Sequence, residues 1–260
     1  MGLLSGTRGL VVGIANERSL AYGIAKAARA EGAELAVTYQ NELMKKRVEP
    51  IAEELRAYHV GPCDLGNDAA IADLASKLSV AGLDFVVHAV ASAKREELGG
   101  RYVDTSRDGF ALALDISVYS LVALTRHMAP LLAASKHHPS ILTLSYIGAR
   151  VVMPNYNVMG VAKAALEASV RYLANDLGPS GVRVNAISAG PARTLSAAGI
   201  KGLREMLGFV EREAPLRRNI DAEEIGRAAL APLSAIGSGM TGEVIHIDAG
   251  YHILGGGAWA

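Results

Sequence analysis

Cysteine is almost absent from this 260-residue chain, which contains only Cys63. A single cysteine excludes an internal disulfide framework and cannot build a zinc site alone, and this usage is typical of the reducing cytoplasm. We therefore expect Cys63 to be a small buried residue. Net charge is absent too, since 26 basic side chains balance 26 acidic ones. That balance excludes a whole-molecule attraction to nucleic acid or to an anionic membrane, so an acidic partner must bind a local patch.

Long apolar runs are also missing. No run is long enough to span a bilayer, and residues 1–6 lack the basic region of a signal peptide, so we predict no membrane segment. The seven histidines show no spacing that forms a metal site, and His137 and His138 are expected in an exposed loop. Aromatic residues make up only 5% of the chain, but hydrophobic residues make up 50%. This composition predicts one compact domain, residues 1–260, with a substantial core.

Short apolar runs of β type alternate with longer stretches of helical periodicity, which is the pattern of repeated βαβ units. Right-handed crossovers wind such units into an α/β fold of the Rossmann type, a doubly wound parallel sheet of about seven strands with helices on both faces. Ligands bind at the carboxyl ends of the strands, where the strand order reverses. The predicted strands are Gly9–Gly13, Glu34–Tyr39, Val60–Cys63, Leu83–Ala89, Ser140–Leu144, Val182–Ser188 and Glu243–Ile247.

One long stretch does not fit the alternation. Residues 189–218 follow the sixth predicted strand and are first irregular and then weakly helical. Long connections of this kind in compact domains commonly cover a binding site. We therefore predict a mobile lid within residues 189–218.

The loop after the first strand is the first chemical signal. Gly13 allows a tight turn, and Ser19 with the free amides at the start of the next helix can bind a pyrophosphate that the helix dipole favours. The segment is not G-x-G-x-x-G, and taken alone it is equally well explained as a strand-to-helix turn with an ordinary serine cap.

The ends of the second and third strands bear on the choice of nucleotide. Gln40 stands where a dinucleotide site distinguishes a ribose hydroxyl from a 2′-phosphate, and a neutral amide there favours NADH. Asp64 can accept from an adenine amino group or cap a helix. The basic run Lys45-Lys46-Arg47 is expected on a solvated helix face, although its position leaves recognition of a 2′-phosphate open.

The second chemical signal is the pair Tyr156 and Lys163, seven residues apart at the start of a long amphipathic stretch. Seven residues make about two helical turns, so both side chains share one face if the helix begins near Tyr156. A lysine ammonium beside a phenol favours the phenolate and can donate to a cofactor ribose, while the phenol can bond a carbonyl on which negative charge develops. Tyr146 lies just beyond the preceding strand, where it can flank the same pocket.

The chain resembles the bacterial NADH-dependent enoyl-acyl-carrier-protein reductases, a divergent branch of the short-chain dehydrogenase/reductase superfamily. The resemblance covers nearly the whole chain. Ordinary short-chain dehydrogenases have a tyrosine four residues before the lysine, where this chain has Met159, so a carbonyl reductase would lack its acid. The residues that carry the resemblance are Gly13-Ile14-Ala15-Asn16 with Ser19, Ala21-Tyr22-Gly23, Thr38-Tyr39-Gln40-Asn41, Leu142-Thr143-Leu144-Ser145-Tyr146, Pro154-Asn155-Tyr156-Asn157-Val158-Met159-Gly160 and Gly181-Val182-Arg183-Val184-Asn185-Ala186-Ile187-Ser188-Ala189-Gly190-Pro191.

This resemblance implies a role for each matched position. It implies that Tyr156 bonds the thioester carbonyl of an enoyl chain with Tyr146 nearby, and that Ala93 contacts the substrate through its backbone. It implies that Lys163 holds the cofactor ribose, which makes Tyr156, Tyr146 and Lys163 the catalytic set. The cofactor, NADH or NAD+, would be held by Gly13, Ser19, Leu20, Gln40, Asp64, Leu65, Val90, Lys163, Ala192, Thr194 and Ser196.

The resemblance also implies partners. The substrate would be an enoyl thioester on acyl carrier protein, which is acidic in this pathway, and Lys201 with Arg204 on the lid can form a cationic edge for it. The family commonly forms a homotetramer, and the apolar segment His246–Ala260 is suited to a subunit contact. Two alternatives stay open: another superfamily member acting on a carbonyl, and a dinucleotide-sensing module without catalysis.

One departure from the family pattern carries an expectation of its own. After the fourth strand the family resembles His-Ser-Ile-Gly-Phe-Ala, whereas this chain has His88-Ala89-Val90-Ala91-Ser92-Ala93. Ala91 therefore stands where glycine is expected, in a loop that by analogy lies beside the nicotinamide. The added methyl group is expected to weaken flat inhibitors of the diphenyl-ether class, which stack against this loop.

Overall fold

Seven parallel strands form one sheet in a computed structural model that describes residues 2–194 and 201–254. Their spatial order is β3-β2-β1-β4-β5-β6-β7. This doubly wound order reverses between β1 and β4, so the crevice for a ligand opens there. The predicted sheet is thus confirmed. The strands are β1 (Arg8–Val12), β2 (Glu34–Tyr39), β3 (His59–Pro62), β4 (Phe85–His88), β5 (Ser140–Ser145), β6 (Arg183–Ala189) and β7 (Val244–Ile247).

Helices cover both faces of this sheet. Side chains of α1, α2 and α8, such as Ile24, Ile51 and Ile225, enter one buried cluster, whereas Leu74 of α3 and Leu124 of α5 enter the other. The helices are α1 (Leu20–Ala30), α2 (Glu42–Glu54), α3 (Asp68–Ser79), α4 (Arg107–Leu114), α5 (Ser120–Ala133), α6 (Asn157–Leu177), α7 (Leu203–Glu213) and α8 (Ala222–Leu233).

The strand boundaries lie within two residues of the predicted ones, and those of β2 match the prediction. The first strand ends at Val12 because Gly13 has a φ of +102°, which leaves the extended region. Cys63 follows β3 and is buried, as expected, and burial raises its thiol pKa to about 11. His137 and His138 lie in an exposed loop, also as expected.

One prediction about apolar runs was wrong. The helical stretch Arg107–Ala133 has 27 residues and a mean hydropathy of 1.4 over an 18-residue window, so by length and composition alone it can cross a membrane. The continuous helical stretch is not evident from the sequence, because a π-helical turn, Asp115–Tyr119, joins the two shorter apolar helices α4 and α5. Of that window 50% is buried inside the protein, and core helices of soluble proteins can have the same length and composition.

The predicted lid region contains α7. It begins after Gly202, whose φ of +83° favours glycine, and buries Leu207 and Val210. Residues 195–200 lie outside the described part of the chain, and they include Ser196, one of the predicted cofactor residues. The mobility expected of this lid stays a prediction.

Candidate active site

A cavity of about 430 Å³ opens at the carboxyl ends of β1, β4, β5 and β6. It lies at the strand-order reversal, where a doubly wound sheet binds its ligands. α7 lines it from above through Leu203 and Met206. The predicted site residues that the structure brings together around this cavity are Gly13, Ser19, Leu20, Val90, Ala93, Tyr146, Tyr156, Lys163, Ala192 and Thr194.

The turn between β1 and α1 forms one end of the cavity. Gly13 approaches the loop after β4 so closely that a Cβ atom would lie 2.2 Å from the carbonyl oxygen of Ala89. Ser19 precedes α1 without capping it, and its hydroxyl donates instead to the carbonyl of Asn16. Leu20 and Ala21 are the first residues of α1 and line the cavity, so their N–H groups, which lack intrahelical partners, are placed for an anion.

Tyr156 lies immediately before α6 at the opposite side of the cavity. Its ring packs edge-on against Tyr146, with 4.9 Å between the ring centroids. This packing needs Gly148, where a Cβ atom would lie 2.7 Å from the Tyr156 ring and 3.2 Å from the Tyr146 ring. The Tyr146 hydroxyl donates to Met206 Sδ over 3.2 Å, which joins the tyrosine pair to the lid helix.

Burial keeps both phenols protonated at neutral pH. It raises the pKa of Tyr156 and of Tyr146 well above the ordinary value for tyrosine. Burial thus opposes the phenolate that a nearby ammonium would favour, and the role expected of the Tyr156 hydroxyl uses its protonated form. A neutral phenol is a hydrogen-bond donor, which is the form needed beside a carbonyl.

Lys163 lies two turns along α6 on the same face as Tyr156, as its spacing predicts. Its Nζ donates to the Leu144 carbonyl at 2.7 Å, and only 7% of the residue is exposed. Burial lowers the pKa of Lys163 to about 8, and the Glu167 carboxylate one turn further along opposes that shift. Glu167 is itself buried, and it accepts from Ser145 Oγ at 2.6 Å.

The loop after β4 is held by the π-helical turn. Ser117 Oγ accepts from the Ser92 N–H at 3.0 Å and lies 3.8 Å from Met159 Sδ. Met159 lines the cavity, so the position that ordinary short-chain dehydrogenases give to their tyrosine holds a thioether here. Ala91 also lines the cavity, and its backbone is not in the left-handed region that would require glycine.

Three predicted cofactor residues lie elsewhere. Gln40 follows β2 and donates from Nε2 to Asp64 Oδ1 over 3.3 Å, so the two side chains form a pair at the ends of neighbouring strands. Leu65 is buried against the core behind them. None of the three lines the 430 Å³ cavity, although they continue the same edge of the sheet.

The enoyl-(acyl carrier protein) reductase family matches residues 13–252 of this chain. The chain belongs to that family. A relative named enoyl-acyl-carrier-protein reductase (NADH) 1, from Rhizobium meliloti, is 54% identical over 98% of this chain and 93% of its own length.

Two solved structures of the family have the same fold. The Aquifex aeolicus enoyl-acyl-carrier-protein reductase (NADH) aligns with a TM-score of 0.94 and 48% identity, over 98% of this chain and 99% of its own. The Anaplasma phagocytophilum reductase, solved in complex with NAD, aligns with a TM-score of 0.93 and 50% identity, over 98% and 97% of the two chains. The resemblance seen in the sequence is thereby confirmed.

The enoyl-reductase site also contains residues that sequence reasoning missed. Arg95 and Leu98 line the cavity from a segment after β4 that has no helical or strand periodicity, so no pattern in the sequence indicates where it runs. Leu144 and Ser145 were noted only as part of a motif, yet one supplies the carbonyl for Lys163 and the other the hydroxyl for Glu167. Within the described residues, no group of His, Cys, Asp or Glu is arranged to hold a metal ion.

Proposed function

We infer that this protein reduces the trans-2,3 double bond of enoyl thioesters on acyl carrier protein, with NADH as the reductant, in fatty acid elongation. Family membership over residues 13–252 supports the reaction, and the NADH dependence named for the Rhizobium meliloti relative supports the cofactor. The observation that carries the assignment is the arrangement around the cavity. A protonated phenol at Tyr156 and a buried ammonium at Lys163 face it together, while Met159 replaces the acid of a carbonyl reductase.

The residues present fit a dinucleotide. Gly13 lets the turn after β1 lie against the Ala89 carbonyl, which leaves the amides of Leu20 and Ala21 open to the cavity for a pyrophosphate. Gln40 and Asp64 offer amide and carboxylate groups further along the same edge for the adenosine. The neutral Gln40 side chain favours NADH over NADPH. The chemistry that bound NADH supplies is hydride donation, here to C3 of the conjugated thioester.

Residues of the chain stabilise the negative charge that develops on the substrate during the reaction. Tyr156 donates a hydrogen bond to the thioester carbonyl, so it stabilises the negative charge that grows on that oxygen as C3 is reduced. Tyr146 packs against the Tyr156 ring and fixes its orientation. Lys163 donates to the cofactor ribose while the Leu144 carbonyl holds its ammonium and the Glu167 charge favours the protonated form. Addition of a proton at C2 completes the saturated acyl chain.

A direct assay tests this function. The purified chain is mixed with NADH and a short trans-2-enoyl thioester, and NADH absorbance is followed, with NADPH in a parallel series. We expect loss of NADH that depends on the thioester, and a lower kcat/KM with NADPH. Reduction of a 3-oxoacyl thioester in place of the enoyl one would instead support a carbonyl reductase, and cofactor binding with no turnover would support a sensing module.

A further inference from the structure

The residues on either side of Tyr156 have an unusual backbone. Asn155 has a φ of 58° and Asn157 a φ of 30°, so two left-handed residues flank the tyrosine at the start of α6. Asparagine tolerates this conformation better than most residues, which alone can account for its presence at both positions. The side-chain amides, however, make contacts that backbone tolerance does not require.

Asn157 binds the segment that follows β4. Its Nδ2 lies 3.3 Å from the carbonyl oxygen of Glu97, 3.0 Å from that of Gly99 and 3.4 Å from that of Gly100. We call residues 94–100 the strap, because Arg95 and Leu98 within it line the cavity. The two N–H donors of one side-chain amide therefore lie within hydrogen-bond distance of three carbonyl groups in a cavity wall that has no strand or α-helix of its own.

Asn155 binds the other cover of the cavity. Its Nδ2 donates to the Lys201 carbonyl at 2.9 Å, directly before α7, whose residues Leu203 and Met206 line the cavity. Met206 in turn accepts from Tyr146, whose ring packs on Tyr156. The strap and the segment that leads into α7 are thus both hydrogen-bonded to the turn 155–157. Their two asparagines flank Tyr156, the proposed hydrogen-bond donor.

We propose that Asn155 and Asn157 are positioning residues that hold the lid and the strap against the turn carrying Tyr156, and so fix where the substrate carbonyl meets its hydroxyl. The proposal rests on the enoyl reductase function inferred above. Neither asparagine lines the cavity, so neither acts on the reacting atoms. Their effect is on the walls that orient the enoyl chain relative to Tyr156.

Aspartate variants of the same size test whether the side-chain amides of Asn155 and Asn157 are needed as hydrogen-bond donors. Asn157→Asp keeps the size of the side chain but replaces the Nδ2 donor with a carboxylate oxygen that faces three carbonyl groups. Asn155→Asp likewise places a carboxylate oxygen opposite the Lys201 carbonyl. We expect kcat/KM for the enoyl thioester to fall about tenfold or more in each, since a bonded group is left unpaired. The KM for NADH should stay within about twofold, because the turn after β1 and Lys163 are unchanged.

Glycine variants separate the amide from the backbone. Asn157→Gly and Asn155→Gly accept a positive φ without strain but lack the amide, so each should be as defective as its aspartate counterpart. Asn175→Asp, an exposed change on the same helix, is the matched control for the added charge and should behave as wild type. Near-wild-type kinetics in the glycine variants would mean that only backbone tolerance matters, which overturns the proposal.

Hydrogen exchange gives a readout that does not depend on turnover. Amides of residues 94–100 should exchange faster in the Asn157 variants, and those of residues 201–206 faster in the Asn155 variants, with α1 and α8 unchanged. Slower turnover without faster exchange in the matching segment would also overturn the holding role. Absence of enoyl reduction by the wild-type protein would refute the proposed function itself, which keeps the two failures distinct.

Discussion

At the scale of single residues, burial decides the chemistry of the site more than neighbouring charge does. The same apolar surroundings raise the pKa of the Tyr156 phenol and lower the pKa of the Lys163 ammonium to about 8. The phenol is therefore neutral at physiological pH, and the lysine begins to lose its proton as the pH rises through about 8. A neutral phenol suits the donor role proposed for Tyr156, and the cofactor-holding role proposed for Lys163 requires its ammonium form.

These assignments predict that Tyr156→Phe and Lys163→Met fail differently. The phenol acts on charge that develops during the reaction, so its loss should lower kcat by roughly 100- to 1,000-fold with little change in the KM for NADH. Loss of the lysine should mainly raise the KM for NADH. Steady-state kinetics with both substrates varied measure the two effects, and near-normal kcat and KM in both variants would exclude the proposed chemistry.

Ala91 gives a second prediction at this scale. Ala91 lines the cavity at a position where the family resemblance leads one to expect glycine. If a bound ligand packs against it, the added methyl group should cost a flat ligand about 1–3 kcal/mol. We expect Ala91→Gly to tighten inhibition by a diphenyl ether while turnover of a flexible enoyl chain stays near wild type. Inhibition constants for the two proteins are the measurement, and equal values would show that Ala91 does not narrow the pocket.

At the scale of elements, α7 presents two different faces. Its inner face lines the cavity through Leu203 and Met206, whereas Arg204, together with Lys201 just before the helix, is exposed to solvent. The helical spacing predicted for the pair is only partly realised, because Lys201 precedes Gly202 and the helix starts at Leu203. The two cations still lie at the same end of the element, next to the mouth of the cavity that they would serve.

This arrangement predicts a docking role for the cationic edge. Charge reversal at both positions, Lys201→Glu with Arg204→Glu, should reduce kcat/KM for an enoyl chain on acyl carrier protein more than for a small thioester, and added salt should shrink the difference. A double reversal at Lys26 and Arg227, which are exposed on α1 and α8 and both pair with Glu223, controls for the change in net charge. Equal losses with both substrates would refute docking at this edge.

At the scale of the whole molecule, β7 is one of the two edge strands of the sheet, and no further strand pairs with it within the described residues. β7 is the last strand of the order, and each of its four residues, Val244–Ile247, is only half-buried. An exposed strand edge is usually covered by another chain or element. The tail that was expected to add to this contact, residues 255–260, lies outside the described part of the chain.

We propose a homotetramer in the cytoplasm, with β7 within a subunit contact. Light scattering at micromolar concentration should give a mass about four times the chain mass of 27.2 kDa. Ile245→Lys on β7 should shift that mass downward, because it places a charge in the contact, whereas Val80→Lys at an exposed helix end should not. A stable monomer in the wild-type protein would count against the assembly.

The sheet, its order and much of the site were open to prediction because local pattern and topology determine them. Alternating apolar runs and helical stretches give βαβ units, crossover handedness gives the order, and the carboxyl ends of β1 and β5 bring Gly13, Tyr146 and Tyr156 to one edge. The seven-residue spacing predicted that Lys163 and Tyr156 share one face, because an α-helix repeats every 3.6 residues, and both line the cavity. Family motifs then supplied the reaction, which no spacing rule yields.

Only the tertiary structure decided the contacts and pKa values that depend on packing between distant segments. The strap has no periodicity, so the contacts of Asn157 with Glu97, Gly99 and Gly100 cannot be read from either segment alone. The raised pKa of Tyr156 cannot be read from its sequence neighbours either, because it follows from how completely packed elements exclude water from the phenol. Local sequence determines which elements form and which side chains they present, but desolvation and long-range hydrogen bonds exist only once those elements have packed.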